Sequence, residues 1–533
     1  MAPNILFAFG DDWGRYASCY AKLHGDNSLS AIVNTPNVDR IADEGVLFTN
    51  SFVPAPSCTP CRSSVLSGRY FWQTRLGAIL QGAVFDRSIP TFPVLLQERG
   101  YHVGFSYKVW GPGTPIHDPY VENGHRYETA ESRFGGFSFA ATDNLEESRV
   151  GIVADAIEEA KKPLYNEVRE NFDSFLADRE DDAPFFYWWG PTNTHREWRR
   201  GSGKTLWSID PEHVEGRLPD FLPDSDVVRE DVADYLGECM AFDRGLGVLI
   251  EMLEERGELD NTLVVVSGDH GIPGFPRAKC NLYDIGCEVA LMARLPQTIP
   301  AGRVVDDMVN LMDLAPTFLE AAGAAPPSGL AARSLMPLLT STESGQVDPD
   351  RTWVVTGRER HVANAREWNL PYPHRAIRTS EYLYIRNFEP DRWPMGDPNG
   401  LDDPTVTPPP FEVLEHDTYA AYGDLDAGPT KAWMIYHRGD ERYREAFEIG
   451  FEKRPGEELY AIRSDPHHMH NLASDPQYKG VRDELSSTLM NLLIREEDPR
   501  VCDTECRYEG SPYTDLFDQN EPPDVAEERW GRS

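Results

Sequence analysis

Two short apolar runs, far apart in the chain, end in the same way. Asn4 to Phe9 stops at Gly10-Asp11-Asp12-Trp13-Gly14, and Leu263 to Ser267 stops at Gly268-Asp269-His270-Gly271. Apolar runs of this length are typical of strands buried on both faces of a parallel sheet. Neighbouring parallel strands would bring Asp11, Asp12, Asp269 and His270 to one edge, where open α/β sheets place their sites. Carboxylates so close repel each other unless a cation lies between them. Together with a neutral nitrogen or oxygen donor they suit a hard divalent ion. Asp11-Asp12 alone could equally be a solvated acidic turn. The same ending on a second strand argues for a site, and Lys279 follows closely enough to reach it.

The chain between these runs alternates strands and helices. Thr35 to Ala42 opens a helix, and Gly45 to Asn50 reads as a strand. Pro90 to Arg99 reads as a helix with Phe92, Leu95 and Leu96 on one face, followed by a strand at Tyr101 to Ser106 and a loop at Tyr107 to Gly113. Phe185 to Trp189 is another buried strand, ending in a loop that carries His195. Asp231 to Arg256 is amphipathic and closed by Gly257. This alternation predicts an α/β fold with a large, doubly wound, mostly parallel sheet. Residues 118–182 read as a polar, partly helical connecting layer.

A chain of 533 residues exceeds one ordinary core. The Ser-, Thr-, Gly- and Asp-rich stretch from Thr340 to Asp350 marks the expected boundary, giving a catalytic α/β domain over 1–345 and a smaller domain over 346–533. In the second, Trp353 to Val355, Tyr382 to Ile385 and Glu458 to Ile462 are short strands, and Val481 to Ile494 is a helix. They predict a C-terminal antiparallel α+β unit.

The formal net charge of −37 repels nucleic acid and anionic membranes, so neither is an expected partner. An anionic substrate would have to be drawn in by a local basic site. No apolar run is long enough to cross a bilayer. No secretory signal precedes the first strand, which points to the cytoplasm on the sequence as given, or to the periplasm or exterior if a leader has been removed. The eight scattered cysteines read mostly as buried thiols.

One stretch carries chemistry of its own. In Ser57-Cys58-Thr59-Pro60-Cys61-Arg62-Ser63-Ser64-Val65-Leu66-Ser67-Gly68-Arg69-Tyr70, Thr59 can cap a helix, Pro60 suits its first position and Gly68 can end it. Cys58 would then sit just ahead of a helix N-terminus, where anions are favoured. Arg62, one turn on, could hold an anion there. Cys58-x-x-Cys61 could also be half of a zinc site or a redox pair. No second Cys-x-x-Cys exists, however, and Cys502 and Cys506 are spaced more loosely.

Cys-x-Pro-x-Arg followed by Ser-Ser-Val-Leu-Ser-Gly-Arg resembles the active-site motif of the type I sulfatases, whose fold is that of alkaline phosphatase. The resemblance extends in order through Pro3 to Gly14, the loop around Lys108, His195, Leu263 to Gly271, Lys279 with Leu282-Tyr283-Asp284, and the C-terminal Glu457 to Tyr460. It implies that Cys58 is converted to formylglycine by a formylglycine-generating enzyme. It also implies that Asp11, Asp12, Asp269 and His270 hold calcium, with magnesium as the alternative. Arg62 would stabilise the hydrate, while Lys108, Lys279 and His195 would contact the sulfate and the bridging atom. The catalytic set is thus Cys58, Arg62, Lys108, His195 and Lys279.

Two positions depart from the family pattern. Trp110 stands where a histidine is common, and Ile285 to Val289 replaces the usual Gly-Gly-x-Arg-Val-Pro. The stretches Asp269 to Pro273, Asn281 to Tyr283 and Asp498 to Cys502 resemble the heparan N-sulfatase branch. That makes N-sulfoglucosamine the first expected substrate and an O-sulfated sugar the second. Arg358, Glu359, His361 and Arg375 are candidates to line the sugar pocket, although such a run can also be a salt-bridged surface loop. A phosphate or phosphonate ester hydrolase of the same superfold and an inactive carbohydrate-binding relative remain the other readings. Oligomeric state stays open.

Overall fold

In the computed structural model, residues 2–114, 125–129, 131–148, 154–180 and 183–510 are described. The two ends of the expected polar layer, at 118 and 182, lie outside them. Its remainder contains helices at Phe137–Glu147 and Ala154–Ala177.

The first sheet has seven strands: β1 (Asn4–Gly10), β2 (Val46–Phe48), β4 (His102–Tyr107), β5 (Phe185–Gly190), β6 (Thr262–Gly268), β7 (Leu291–Arg294) and β8 (Arg303–Val305). The order is β4-β5-β1-β6-β7-β2-β8. Pairings are parallel throughout except the two made by β7, so β7 alone runs against the rest. A two-stranded ribbon, β3 (Ser51–Phe52) with β9 (Val309–Asn310), lies apart.

Both faces of β1 are buried, and its side chains alternate between two apolar cores. Ile5, Phe7 and Phe9 join Val65, Leu66, Phe92 and Phe318 on one side. Leu6 and Ala8 join Val38, Phe172, Leu246 and Ile250 on the other. Helices thus cover both faces, which is why β1 and β6 can be apolar without alternation. The helix Asp226–Glu255 spans the second face and fits the amphipathic pattern read over 231–256.

The register places Gly10 opposite Gly268. The next residues, Asp11 and Asp269, therefore leave the sheet side by side, as the matching strand ends predict. A glycine at the end of β6 is required by close approach. A Cβ on Gly268 would sit 1.8 Å from the Trp13 carbonyl oxygen, because the loop after β1 folds back over this point. Gly190 at the end of β5 meets the Lys108 carbonyl in the same way.

The second sheet is antiparallel, with β10 (Trp353–Arg358), β11 (His374–Thr379), β12 (Tyr382–Asn387) and β13 (Glu457–Ala461) in sequential order. In this sheet only β11 has no counterpart in the sequence reading, as is true of β3, β7, β8 and β9 elsewhere: His374 to Thr379 has two arginines and no apolar run to announce it. The helix Lys479–Arg495 packs on this sheet. Val355, Ile377, Leu383 and Leu459 belong to the same apolar cluster as Phe7 and Phe9, so the two sheets share one core. No helix among the described residues is long and apolar enough to cross a membrane.

Replacing Gly268 by alanine forces the carbonyl of Trp13 away and should cost about 1–3 kcal/mol of stability. The expected outcome of G268A is a lower thermal unfolding midpoint. An unchanged midpoint would be incompatible with the close approach described here.

Candidate active site

Four adjacent parallel strands deliver the site residues from their carboxyl ends. Lys108 follows β4, with its N–H bonded to the Gly190 carbonyl at 2.9 Å. His195 lies in the loop after β5. Asp11 and Asp12 follow β1, and Asp269 and His270 follow β6. Asp12 adopts a left-handed conformation (φ 60°), tolerated best by Asp and Asn among non-glycine residues. Its N–H donates to Asp269 Oδ1 at 2.7 Å.

The helix Cys58–Ser67 is buried along its whole length and brings Cys58 over these ends. Its N-cap is Ser57 rather than Thr59, and no side chain caps it. Thr59 Oγ1 donates instead to the Pro112 carbonyl at 2.6 Å. Cys58 is therefore the first residue of the helix rather than the residue before it. Gly68 ends the helix in the left-handed region (φ 70°), as its position suggests. Cys58 Sγ lies 3.3 Å from His270 Nε2 and 3.8 Å from Asp12 Oδ1. Burial pushes the Cys58 thiol well above its ordinary pKa despite Lys108 nearby, so it is held as a thiol and is not a nucleophilic thiolate.

Arg62 is fully buried. It donates from Nε to Asp269 Oδ2 at 2.9 Å, from Nη2 to Asp11 Oδ1 at 3.0 Å, and from Nη1 to the carbonyls of Lys108 and Val109. All three of its nitrogens have acceptors in the protein. Arg62 thereby positions the two carboxylates. Trp110, at the position where a histidine is common, is also fully buried and donates from Nε1 to Ser63 Oγ at 2.9 Å. Its ring is part of the helix packing.

Lys108 Nζ donates to both oxygens of Asp11, at 2.7 and 2.9 Å. Burial works to raise the Asp11 carboxyl, but Lys108 and Arg62 outweigh it and hold the group well below the usual carboxylate range. Asp269 goes the other way: burial raises it above that range despite His270 and Arg62. Lys279 Nζ donates to Asp12 Oδ2 at 2.9 Å and lies 3.4 Å from His195 Nε2. Burial would lower both lysines, but Asp11 raises Lys108, and Asp12 with Asp426 raises Lys279, above the ordinary lysine value.

The ligand atoms of Asp12, Cys58, Asp269 and His270 all lie within 4.8 Å of one another, as do those of Asp11, Asp12 and His195. Asp12, Asp269 and His270, with Asp11 joined to them through Asp12, offer mostly carboxylate oxygens, which fits a hard divalent cation.

The site opens towards His195. Side-chain exposure is 35% at His195, 20% at Asp426 and 16% at Lys108, against 3% or less at Asp11, Asp12, Asp269, His270 and Lys279. A cleft of about 540 Å³ leads in past Asp11, Lys108, Phe139, Thr192, His195 and Glu197.

Of the four residues expected to line a sugar pocket, one reaches the site. His361 Nδ1 lies 2.8 Å from Ser57 Oγ, and burial with Lys279 nearby lowers its pKa to about 3, so the ring is neutral. Arg375 and Glu359 are corrected. Both are fully buried and bonded to each other at 2.7 Å, with Asp498 as the second partner of Arg375 and Arg500 as the second partner of Glu359. Arg358 is also corrected: it is buried, donates to the Pro394 carbonyl and lies 3.4 Å from Asp424.

The residue that the sequence reading missed is Asp426, 3.2 Å from Lys279 Nζ. It lies in Gly423-Asp424-Leu425-Asp426-Ala427-Gly428, which reads as an acidic turn. The available signal was a pair of aspartates between glycines, too common to single out. Lys431 fixes this turn by donating to the carbonyls of Thr418, Tyr422 and Leu425.

The chain is similar to known proteins over most of its length. Residues 3–324 match the sulfatase family, and residues 277–407 match the C-terminal region of N-sulphoglucosamine sulphohydrolase. The N-sulphoglucosamine sulphohydrolase of Homo sapiens is 26% identical over 535 residues, spanning 94% of this chain and 91% of that protein. An ulvan-active sulfatase of Formosa agariphila is 25% identical over 504 residues, spanning 93% and 81%. A structure solved with its substrate D-glucosamine-2-N,6-O-disulfate superposes with a TM-score of 0.60 at 19% identity, covering 95% of this chain and all of the other. The phosphonate monoester hydrolase of Agrobacterium radiobacter superposes with a TM-score of 0.59 at 17% identity, covering 93% and 96%. These two likenesses establish the shared fold. With its family match running over more than half its length, the chain belongs to the sulfatase family and is a sulfuric ester hydrolase.

Proposed function

We propose that this sulfatase removes sulfate from a sulfated amino sugar, with the sulfamate of N-sulfoglucosamine as the first substrate. The observation that carries the choice is the match of residues 277–407 to the C-terminal region of N-sulphoglucosamine sulphohydrolase. An O-sulfated sugar is the second reading, favoured by the likeness to an N-acetylglucosamine-6-O-sulfatase of Bacteroides thetaiotaomicron, 25% identical over 525 residues. In this reading residues 1–345 form the catalytic domain and 346–533 the domain that adds His361 and Asp426 to the pocket.

Asp11, Asp12, Asp269 and His270 would hold a divalent cation, calcium first and magnesium second, which supplies positive charge against the sulfate oxygens. Conversion of Cys58 by a formylglycine-generating enzyme supplies an aldehyde whose hydrate serves as the nucleophile.

The remaining roles belong to side chains at the cleft. Lys108 and Lys279 keep their charge through the neutral range, since their carboxylate partners raise them. They sit where the sulfate oxygens arrive and offset its charge inside a strongly acidic protein. His195 Nδ1 lies 2.6 Å from the Arg196 carbonyl and donates to it, which leaves Nε2 directed at Lys279 and the cleft. Protonated at Nε2, His195 gives its proton to the departing nitrogen or oxygen. Lys279, held above its ordinary value, parts with a proton less readily and is the poorer acid. Asp426 keeps Lys279 charged and offers a carboxylate to a sugar hydroxyl at the same time.

Four outcomes are expected. The tryptic peptide containing Cys58, from protein made together with a formylglycine-generating enzyme, should show the mass change from thiol to aldehyde. Such protein should turn over N-sulfoglucosamine in preference to a 6-O-sulfated sugar and to a phosphate monoester. A preference for phosphate would sink the sulfohydrolase reading, and a preference for the O-sulfate would transfer it to the second substrate.

H195A should lower kcat about 100- to 10,000-fold, the usual contribution of a positioned general acid. A fall in which KM alone changes would assign His195 to binding instead. D12N should weaken the affinity for the divalent cation by about tenfold or more, read by metal titration of the chelated protein. Unchanged affinity would remove Asp12 from the ligand set.

A further inference from the structure

Behind the active site, where the second sheet meets the 277–283 segment, lies a group of buried cationic and polar side chains that the reaction does not use. Arg358 closes β10 and pairs across the sheet with His374 at the start of β11. Paired residues share a face, so the two side chains stand together. The His374 ring is 5.2 Å from the Tyr372 ring. The guanidinium carbons of Arg358 and Arg366 lie 5.8 and 5.6 Å from the same tyrosine ring. Arg454 enters just before β13. Its Nη2 donates to Asn281 Oδ1 at 2.7 Å, and its charge acts on both Tyr372 and His374.

Arg358, His374 and Tyr372 are 1% exposed or less and Arg454 is 7% exposed. Within this group, Nε and Nη1 of Arg358, Nε and Nη1 of Arg454, both ring nitrogens of His374 and the Tyr372 hydroxyl have no hydrogen-bond partner among the described residues. The acceptors also left unpaired here are Asn387 Oδ1 and the unprotonated ring nitrogen of His374, fewer than the orphaned donors. Orphaned buried donors are costly, and orphaned charged ones most of all.

Charge is out of balance in the same direction. With Arg277, whose guanidinium carbon is 3.7 Å from the Tyr283 ring, four guanidinium groups gather around two buried carboxylates, with Asp397 a third that acts on Arg366 from the side. One carboxylate is Asp424, held by Arg366 at 2.7 Å and Arg358 at 3.4 Å. The other is Glu458, which accepts from Tyr283, Tyr460 and Asn387. Burial and the surrounding arginines keep His374 neutral, so it adds one N–H and no charge. A surplus of positive charge and a surplus of donors, enclosed in the interior of a protein with net charge −37, both call for a compact negative partner.

We propose that a small monovalent anion of the halide class binds among the side chains of Arg358, Arg454, His374 and Tyr372. A single halide accepts from several converging N–H and O–H groups at once, needs no proton, and reduces the charge surplus by one. Because the site joins β10, β11 and Arg454 to Asn281, the ion acts as a fastener between the second sheet and the loop that carries Lys279.

The test uses the full chain. Thermal unfolding is followed in sodium chloride and in sodium gluconate at equal ionic strength. The midpoint should be higher in chloride by about 2 °C, and the difference should saturate with concentration as expected for a bound ligand. Crystals soaked in bromide should show an anomalous peak between these four side chains. R454M removes two of the orphaned donors and should abolish the difference between the two salts. Should that variant fail to fold, the bromide measurement on the unaltered protein decides the matter. Equal midpoints in the two salts, or no bromide peak, would overturn the proposal and leave water as the partner of these groups.

Discussion

The clasp that Arg62 makes on two strands at once is the contact on which the rest of the site depends. Asp11 and Asp269 are placed side by side by the β1–β6 register, and two buried carboxylates at that spacing repel. A guanidinium bonded to both compensates that repulsion, while its Nη1 fixes the backbone after β4. The helix that carries Arg62 also carries Cys58, so the bond that settles the carboxylates sets the distance from Cys58 to them. Breaking one partner of such a buried pair typically costs several kcal/mol, because the other charge is left without compensation.

The site is a basic lining inside an acidic molecule, and two separate parts of the chain build it. The parallel sheet supplies the carboxylates, Lys108 and His195 from four strand ends. The region after the second sheet's first three strands supplies Asp426 through a turn that Lys431 pins by three carbonyls. Lys279 is shared, held by Asp12 on one side and by Asp426 on the other. A displacement of either unit therefore reaches the same ammonium group. The apolar cluster common to both sheets makes such a displacement expensive.

The fold was largely legible in the chain because its strands are buried on both faces and announce themselves as unbroken apolar runs. The same property exposed the strand ends, and with them Asp11, Asp12, Asp269 and His270. Strand β11 was illegible for the opposite reason. Its arginines and histidine belong to buried ion pairs and donor networks, which a sequence shows only as polar residues. That blindness also explains Arg375 and Glu359: charged residues in a loop-rich region look available to a ligand, whereas here they are bound to each other. Asp426 escaped notice because its partner, Lys279, is remote in sequence. The helix cap moved from Thr59 to Ser57 because Thr59 finds a carbonyl acceptor in the loop after β4, a long-range contact that local capping preference does not contain.

The burial of the Cys58 helix also has a consequence in time. All ten residues from Cys58 to Ser67 are buried, covered chiefly by the 71–78 segment and the 311–313 turn. An enzyme acting on Cys58 would need this stretch exposed, and the finished fold buries it in a helix. Any such modification would have to precede closure of the core, in competition with folding. The yield of matured protein would then depend on how slowly the chain collapses, as well as on how much modifying enzyme the cell provides.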